Sequence, residues 1–150
     1  MRYRSIDESY IPYIIKEYRH WTLMINENQR YLGRCVLWLA REGCLQDKCD
    51  LSEDEEREFS FARKQTRDAL TLLWKPDLFN YAWFGNLIDD HGGHGHEHII
   101  PRYKYPRVFL GTEFTDLRWK QNCSPTEGYF PDHKLLHQIR GAIQVALTTV

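Results

Sequence analysis

The chain has 150 residues, of which 42% are hydrophobic and 27% are charged. This length and composition are typical of one globular domain with a sizeable core, and they exclude a disordered tail, a fibre and a low-complexity scaffold. The formal net charge of -1 argues against a nucleic-acid backbone as the main partner, and no apolar run reaches the ~20 residues that a membrane span needs.

The cysteines indicate a reducing compartment. Cys35 lies in an apolar run, whereas Cys44 and Cys49 are spaced too widely for a zinc knuckle and no second pair follows. We therefore expect reduced thiols that hold neither a metal nor a disulfide. The first residues also lack the apolar stretch of a secretory signal, so the expected location is cytoplasmic.

The first half of the chain predicts two strands and a long helix. Residues 1–19 indicate a short helix or an arm that packs on the body. Apolar side chains then alternate along residues 21–25, which predicts a strand, and residues 33–40 predict a second, buried strand. A capping-box pattern that begins at Ser52 and a helical apolar period predict a helix over residues 53–74.

The second half predicts two more strands and a final helix. These elements are a strand over 78–86, a loop over 89–95, a strand over 96–103 in which Pro101 ends the ladder, a surface excursion over 104–130 and a helix from Pro131 or Asp132. Strands grouped in pairs with few crossovers predict an α+β domain with an antiparallel sheet.

Four of the seven histidines lie within eight positions, from His91 to His98. His94, His96 and His98 are spaced by two, and side chains two apart on a strand point to the same face. One surface therefore receives three imidazoles in a row.

This row of imidazoles fits two kinds of chemistry. Histidine is a common zinc ligand, and Asp89 or Asp90 could add a carboxylate. Alternatively, a neutral imidazole nitrogen can attack phosphorus while its neighbours donate hydrogen bonds to the phosphate and to the leaving group. The spacing alone leaves both possibilities open.

The segment His94-Gly-His-Glu-His-Ile-Ile, followed by Pro-Arg-Tyr, resembles the motif of the histidine-triad (HIT) family. The similarity extends over residues 20–103: residues 20–37 resemble the first hairpin of bacterial HIT proteins, residues 50–55 the start of their helix, and residues 79–86 the strand that leads to the triad. The resemblance implies a single HIT-like domain over 1–150, with an N-terminal arm (1–19), a core (20–103) and a C-terminal extension (104–150). It also implies a homodimer.

The function implied by the resemblance is the hydrolysis of dinucleoside polyphosphates or nucleoside phosphoramidates, without a metal or other cofactor. His96 would be the nucleophile that forms a nucleotidyl-histidine intermediate, and water would then release the nucleoside monophosphate. His98 would assist the leaving group. His94 would orient His96 through its backbone carbonyl, which accepts from Nδ1–H. The third histidine is retained as His98, which favours a hydrolase over a transferase.

The resemblance also implies a substrate site beside the triad. Asn26 matches the position of a polar contact to the ribose, and Asn86 a position near the phosphate. The base would lie over apolar residues of the first hairpin, Leu23 or Ile25. Two other functions stay open, namely a metal-binding protein or metal-dependent hydrolase that uses the histidine cluster, and a nucleotide-binding protein without turnover.

Several positions depart from the family's pattern. Gly95 and Glu97 stand where apolar residues are usual, and Glu97 should face the opposite side of the sheet, where its carboxylate needs a partner or a wet surface. The stretch Asp89–Gly93 is an insertion before the triad. Arg34 stands where some members have a further histidine, and an arginine there could either contact phosphate or be a surface residue.

Two further side chains are assigned to structural roles. Trp38 is predicted to lie in the core or in a dimer interface, and Arg102 is predicted to be a surface or interface charge.

Overall fold

A computed structural model describes residues 6–41, 45–91, 94–123 and 127–150, and for residues 89–91 it describes the backbone alone. The main sheet has five antiparallel strands in the order β1-β2-β3-β5-β4. They are Ile14–Glu17 (β1), Trp21–Ile25 (β2), Cys35–Leu39 (β3), Leu78–Ala82 (β4) and His96–Arg102 (β5). The α+β fold with an antiparallel sheet is confirmed.

The main helix covers one face of this sheet. It runs over Glu53–Trp74 (α1), the span that the sequence predicts, because its start and end are both specified locally. Ser52 and Glu55 form the complete capping box, and Lys75 ends the helix in the left-handed conformation just before Pro76. The last helix, His133–Leu147 (α2), is capped by Asp132 and packs against α1 and β1.

The hairpin between β2 and β3 is fixed against α1 by Gly33. This residue has a φ of +89°, in the left-handed region that favours glycine. A Cβ at this position would lie only 2.7 Å from Leu70 Cδ2. The close approach seats the hairpin on the helix and sets the position of the residue that follows it, Arg34.

The structure extends the sequence prediction in three places. Part of the predicted N-terminal arm forms β1 at the edge of the sheet, preceded by a 3-10 helix over Glu8–Tyr13. The strand predicted over 78–86 ends at Ala82, and a 3-10 helix over Gly85–His91 follows. The surface excursion contains a small hairpin, Arg107–Phe109 (β6) and Thr112–Phe114 (β7).

Arg102 is buried, so its prediction as a surface charge is wrong. Its guanidinium makes a bidentate ion pair with Asp116, at 2.7 and 3.1 Å. It also donates to Asn80 Oδ1 at 2.8 Å and to the backbone carbonyls of Arg118 and Gln121. These acceptors engage all five of its N–H donors, and they tie the segment around residues 116–121 to the end of β5.

Pro101 does not end the strand as predicted: it lies within β5 and pairs with Phe79 of β4, and the pairing continues with Arg102. The pairing of β5 with β3 has already ended at Ile99. Among the residues described, no helix is long and apolar enough to cross a membrane.

Candidate active site

The three triad histidines come together at the start of β5. In the sheet register, His96 pairs with Trp38 of β3, and His98 lies between Val36 of β3 and Ala82 of β4. Directly paired residues in a sheet project to the same face, so His96 and His98 lie on the face away from α1. The ring centroids of His96 and His98 are 5.3 Å apart, with the rings nearly perpendicular.

The backbone of His94 fixes the proton of His96. Nδ1 of His96 lies 3.1 Å from the carbonyl oxygen of His94. A carbonyl oxygen only accepts, so in the neutral imidazole Nδ1 carries the proton and Nε2 keeps its lone pair. An imidazole in this tautomer presents Nε2 as a nucleophile.

Two aromatic side chains flank the triad. Trp38 stacks on the rings of His94 and His96, with centroids 5.7 and 5.2 Å apart, so it lies at this site and not in the core, while the predicted alternative, a dimer interface, stays a prediction. Phe84 is 41% exposed, and its ring centroid is 5.9 Å from that of His98. The strand register, which the sequence does not state, is the signal that places Trp38 beside His96.

Gly95 is required by the tryptophan that covers it. A Cβ at this position would lie 2.2 Å from the indole of Trp83 and 3.1 Å from the carbonyl oxygen of Leu45. The indole is held in place because its N–H donates to the carbonyl oxygen of Gln46 at 3.1 Å. Trp83 thus occupies the space that an apolar side chain at position 95 would fill.

Glu97 points to the opposite face, where its carboxylate is buried between two cations. Lys48 donates to Oε2, and Arg63 of α1 donates to Oε1 at 3.4 Å. Of the two possibilities that the sequence left open for this carboxylate, a partner or a wet surface, the structure shows the first, a pair of basic side chains. These contacts connect the histidine strand to the helix behind it.

Solved structures of known proteins resemble this fold over nearly the whole chain. A histidine triad (HIT) protein from Sinorhizobium meliloti has a TM-score of 0.73 at 13% identity, covering 94% of this chain and 95% of its own. For a histidine triad protein from Marinobacter aquaeolei the TM-score is 0.67 at 15% identity, covering 96% of both chains. A hypothetical histidine triad nucleotide-binding protein from Sulfolobus tokodaii gives 0.65 at 16%, covering 91% of this chain and 84% of its own. No protein-family model and no curated protein matches the sequence.

The chain has the histidine-triad fold. At these identities the similarity concerns the fold, which confirms the architecture expected from the sequence.

The HIT fold places Leu23 and Ile25 on the wrong face for the predicted contact with a base. Leu23 is fully buried and Ile25 is 4% exposed, both in the core cluster. Leu23 pairs with Leu37, which pairs with Glu97, so this row faces α1. Strand alternation instead places Met24 on the histidine face. The error arose because the residue type was matched without the register.

Asn26 lies on the histidine face, one residue beyond β2. Its backbone N–H donates to the carbonyl oxygen of Arg34 at 3.0 Å, which continues the β2–β3 pairing. Its side-chain Oδ1 accepts from the backbone N–H of Asn28 at 2.9 Å. The oxygen closes a turn, so the amide nitrogen Nδ2 is the group through which Asn26 could contact a hydroxyl.

Asn86 is exposed on the 3-10 helix over Gly85–His91, two residues after Phe84. The insertion Asp89–Gly93 falls mainly outside the described residues. Only the backbone of residues 89–91 is described, and Gly92 and Gly93 lie outside the described ranges. Cys44 also lies outside them. The metal site suggested with His91 or either aspartate cannot be placed for that reason. Within the described ranges, no three His, Cys, Asp or Glu side chains are grouped closely enough to hold a metal ion.

Proposed function

We propose that the chain is a HIT-family nucleotide hydrolase that forms a covalent nucleotidyl-histidine intermediate on His96. The observation that carries the proposal is the contact between Nδ1 of His96 and the carbonyl oxygen of His94. It leaves Nε2 as the nucleophilic atom, on a sheet face shared with His98. The substrate class is a nucleotide linked through a phosphoanhydride or a phosphoramidate bond.

The proposed reaction has two displacements at phosphorus. In the first, the lone pair of His96 Nε2 forms a bond to the α-phosphorus, and the bond to the leaving group breaks. His98, whose ring is next to that of His96, donates a hydrogen bond at the departing atom. In the second, water bonds to phosphorus, the electron pair of the P–N bond returns to Nε2, and one proton passes to solvent with release of the monophosphate. His94 holds the imidazole of His96 at a fixed orientation throughout.

We also propose that Asn26 contacts the ribose through Nδ2, and that Asn86 approaches the phosphates. Asn26 is adjacent to Arg34, whose guanidinium reaches His98, so the two asparagines flank the His98 side of the site. Asn86 follows Phe84, which contacts the His98 ring.

The test is the release of nucleoside monophosphate from diadenosine polyphosphates and from an adenosine phosphoramidate, with and without EDTA. We expect AMP release that EDTA leaves unchanged, because both displacements use only protein side chains and water. The AMP is measured by chromatography at several enzyme concentrations.

Two results would contradict the proposal. Loss of activity in EDTA, restored by a stoichiometric divalent metal, would indicate a metal-dependent hydrolase. Saturable binding of AMP with no turnover of either substrate would indicate a nucleotide-binding protein without catalysis.

The proposed oligomeric state is a homodimer. Strand β4 forms one edge of the sheet and exposes two large apolar side chains, Leu78 at 63% and Tyr81 at 41%. An exposed apolar edge strand is a template for pairing with another chain.

Light scattering is expected to give twice the 18.0 kDa of the chain. Leu78→Lys is expected to shift the protein toward the monomer, because a charge would enter the paired edge. Leu72→Lys changes a similarly exposed leucine on α1, 56% exposed, and should leave the mass unchanged. A wild-type monomer at micromolar concentration would disprove the dimer.

The proposed location is the cytoplasm. The described cysteines, Cys35, Cys49 and Cys123, are free thiols. A reducing compartment maintains thiols in that state. Burial raises the pKa of the Cys35 thiol, so this residue is an inert part of the core rather than a reactive thiolate.

A further inference from the structure

Arg34 makes a direct contact with the third histidine of the triad. Its Nη2 lies 3.3 Å from Nδ1 of His98. A guanidinium has only donors, so Nδ1 of His98 must be the acceptor. The single proton of the neutral imidazole is then on Nε2.

The two neighbouring histidines therefore hold opposite tautomers. His96 has a carbonyl oxygen at Nδ1, so its Nε2 is an unprotonated nucleophile. His98 has a cation at Nδ1, so its Nε2 is an N–H donor. The difference follows from the chemistry of the two partners, the carbonyl of His94 and the guanidinium of Arg34.

Hydrogen bonds fix the backbone of Arg34 in this position. Its backbone N–H donates to the carbonyl oxygen of Tyr31 at 2.9 Å, and its own carbonyl accepts from Asn26 N and Gln29 Nε2, each at 3.0 Å. Burial lowers the pKa of the guanidinium from its ordinary value, but an arginine stays charged in proteins. Among the residues whose side chains are described, no carboxylate forms a salt bridge with Arg34, and the guanidinium contacts His98 at 3.3 Å.

We propose that Arg34 is a positioning residue that locks His98 as an Nε2–H donor and thereby selects substrates whose leaving group departs as a phosphate anion. The inference rests on the proposed function and decides between its two substrate classes in favour of the phosphoanhydride.

The selection follows from where the proton and the electron pair go. When His96 attacks a phosphoanhydride, the pair of the breaking P–O bond moves to the bridging oxygen, which leaves as a phosphate anion and needs only a hydrogen bond from His98. When a P–N bond breaks, the amine must gain a proton. His98 could supply that proton as an imidazolium, but a proton on Nδ1 would face the Arg34 cation. The neutral imidazole of His98 could give up its Nε2 proton only by becoming an imidazolate anion, and that anion is not accessible near neutral pH.

The tautomer is tested by NMR of the histidine side chains in the full chain, with His98→Gln to assign the signals. We expect His98 to carry its proton on Nε2 at pH 7.5 and His96 to carry it on Nδ1. In Arg34→Gln, whose amide can either accept or donate, His98 is expected to become a mixture of tautomers. Arg34→Lys keeps a cation that only donates and should preserve the Nε2–H form. A wild-type His98 protonated on Nδ1 would overturn the inference.

The selectivity is tested by the ratio of kcat/KM for a diadenosine polyphosphate to that for an adenosine phosphoramidate. Because general acid catalysis of leaving-group departure is worth about 100-fold or more, Arg34→Gln is expected to lower this ratio at least about tenfold. In Arg34→Lys the ratio should stay close to the wild-type value. A merely structural loss would reduce both activities in parallel and leave the ratio unchanged, and that result would overturn the selective role.

The two proposals fail in different ways. Turnover of both substrates with an unchanged ratio in Arg34→Gln would refute the role of Arg34 and leave the hydrolase intact. No turnover of either substrate would refute the hydrolase and the selectivity together, while the NMR result would still decide the tautomer.

Discussion

Replacing His96 by alanine is expected to lower the rate of AMP release at least about a thousandfold, because a covalent nucleophile has no substitute in the site. The imidazole is 7% exposed and stacks on Trp38 with centroids 5.2 Å apart, so the substitution also opens space beside the indole. Single-turnover quenching with a radiolabelled diadenosine polyphosphate measures both the rate and the label bound to protein. The wild type should retain acid-labile label, and His96→Ala should retain none.

Two further variants separate chemistry from folding. His98→Ala is expected to reduce the rate less than His96→Ala, since it removes a hydrogen bond to the leaving group and keeps the nucleophile. His133→Ala changes an exposed histidine on α2 and should leave the rate unchanged. Protein-bound label in His96→Ala, or a residual rate within tenfold of the wild type, would contradict the assignment of the nucleophile.

Replacing Arg102 by methionine is expected to destabilise the protein by about 3–5 kcal/mol, because it leaves the carboxylate of Asp116 buried without its cation. The Asp116 side chain is fully buried and that of Arg102 is 5% exposed. The substitution also leaves Asn80 Oδ1 and the carbonyl oxygen of Arg118 without the donor that Arg102 supplies. Urea denaturation at pH 7 measures the free energy of unfolding.

A double variant identifies the cause of that loss. Adding Asp116→Asn to Arg102→Met removes the unpaired charge and keeps an acceptor for one of the two backbone N–H groups that donate to Asp116, so it should restore at least about 1 kcal/mol. The exposed pair of Arg57 and Asp54 is the matched control, because Arg57→Met should change the stability by less than about 0.5 kcal/mol. If Arg102→Met lowered the free energy of unfolding by less than about 1 kcal/mol, the buried ion pair would not be a major contributor to the stability of the fold.

The elements that the sequence predicts well are those specified by local chemistry. The helix over Glu53–Trp74 has a capping box at one end and a proline after the other, and strand β2 has apolar residues at every second position. Strand β1 escaped prediction because its four residues, Ile14–Glu17, show no alternation of apolar and polar side chains, although it pairs with the next strand in the chain, β2. The burial of Arg102 depends on Asp116, fourteen residues along the chain, and no periodicity records such a partner.

The site was predictable to the extent that it lies within one strand. The alternation of His94, His96 and His98 follows from the geometry of a single extended segment. The neighbours on β3 depend on register, so the contact of Arg34 and the stacking of Trp38 could not be assigned from spacing. The same missing information led to Leu23 as a base contact, although it lies on the helix-facing side.

The packing of Trp83 on Gly95 couples two positions that are twelve residues apart in the chain. A chain of this fold that acquires a methyl group at position 95 must shift or shrink the residue at position 83, since the two would otherwise approach to 2.2 Å. Evolution can therefore exchange the large and the small partner only in a concerted way. Among homologues, we expect an aromatic residue at position 83 to co-occur with glycine at position 95. A smaller residue at position 83 should co-occur with an aliphatic residue at position 95.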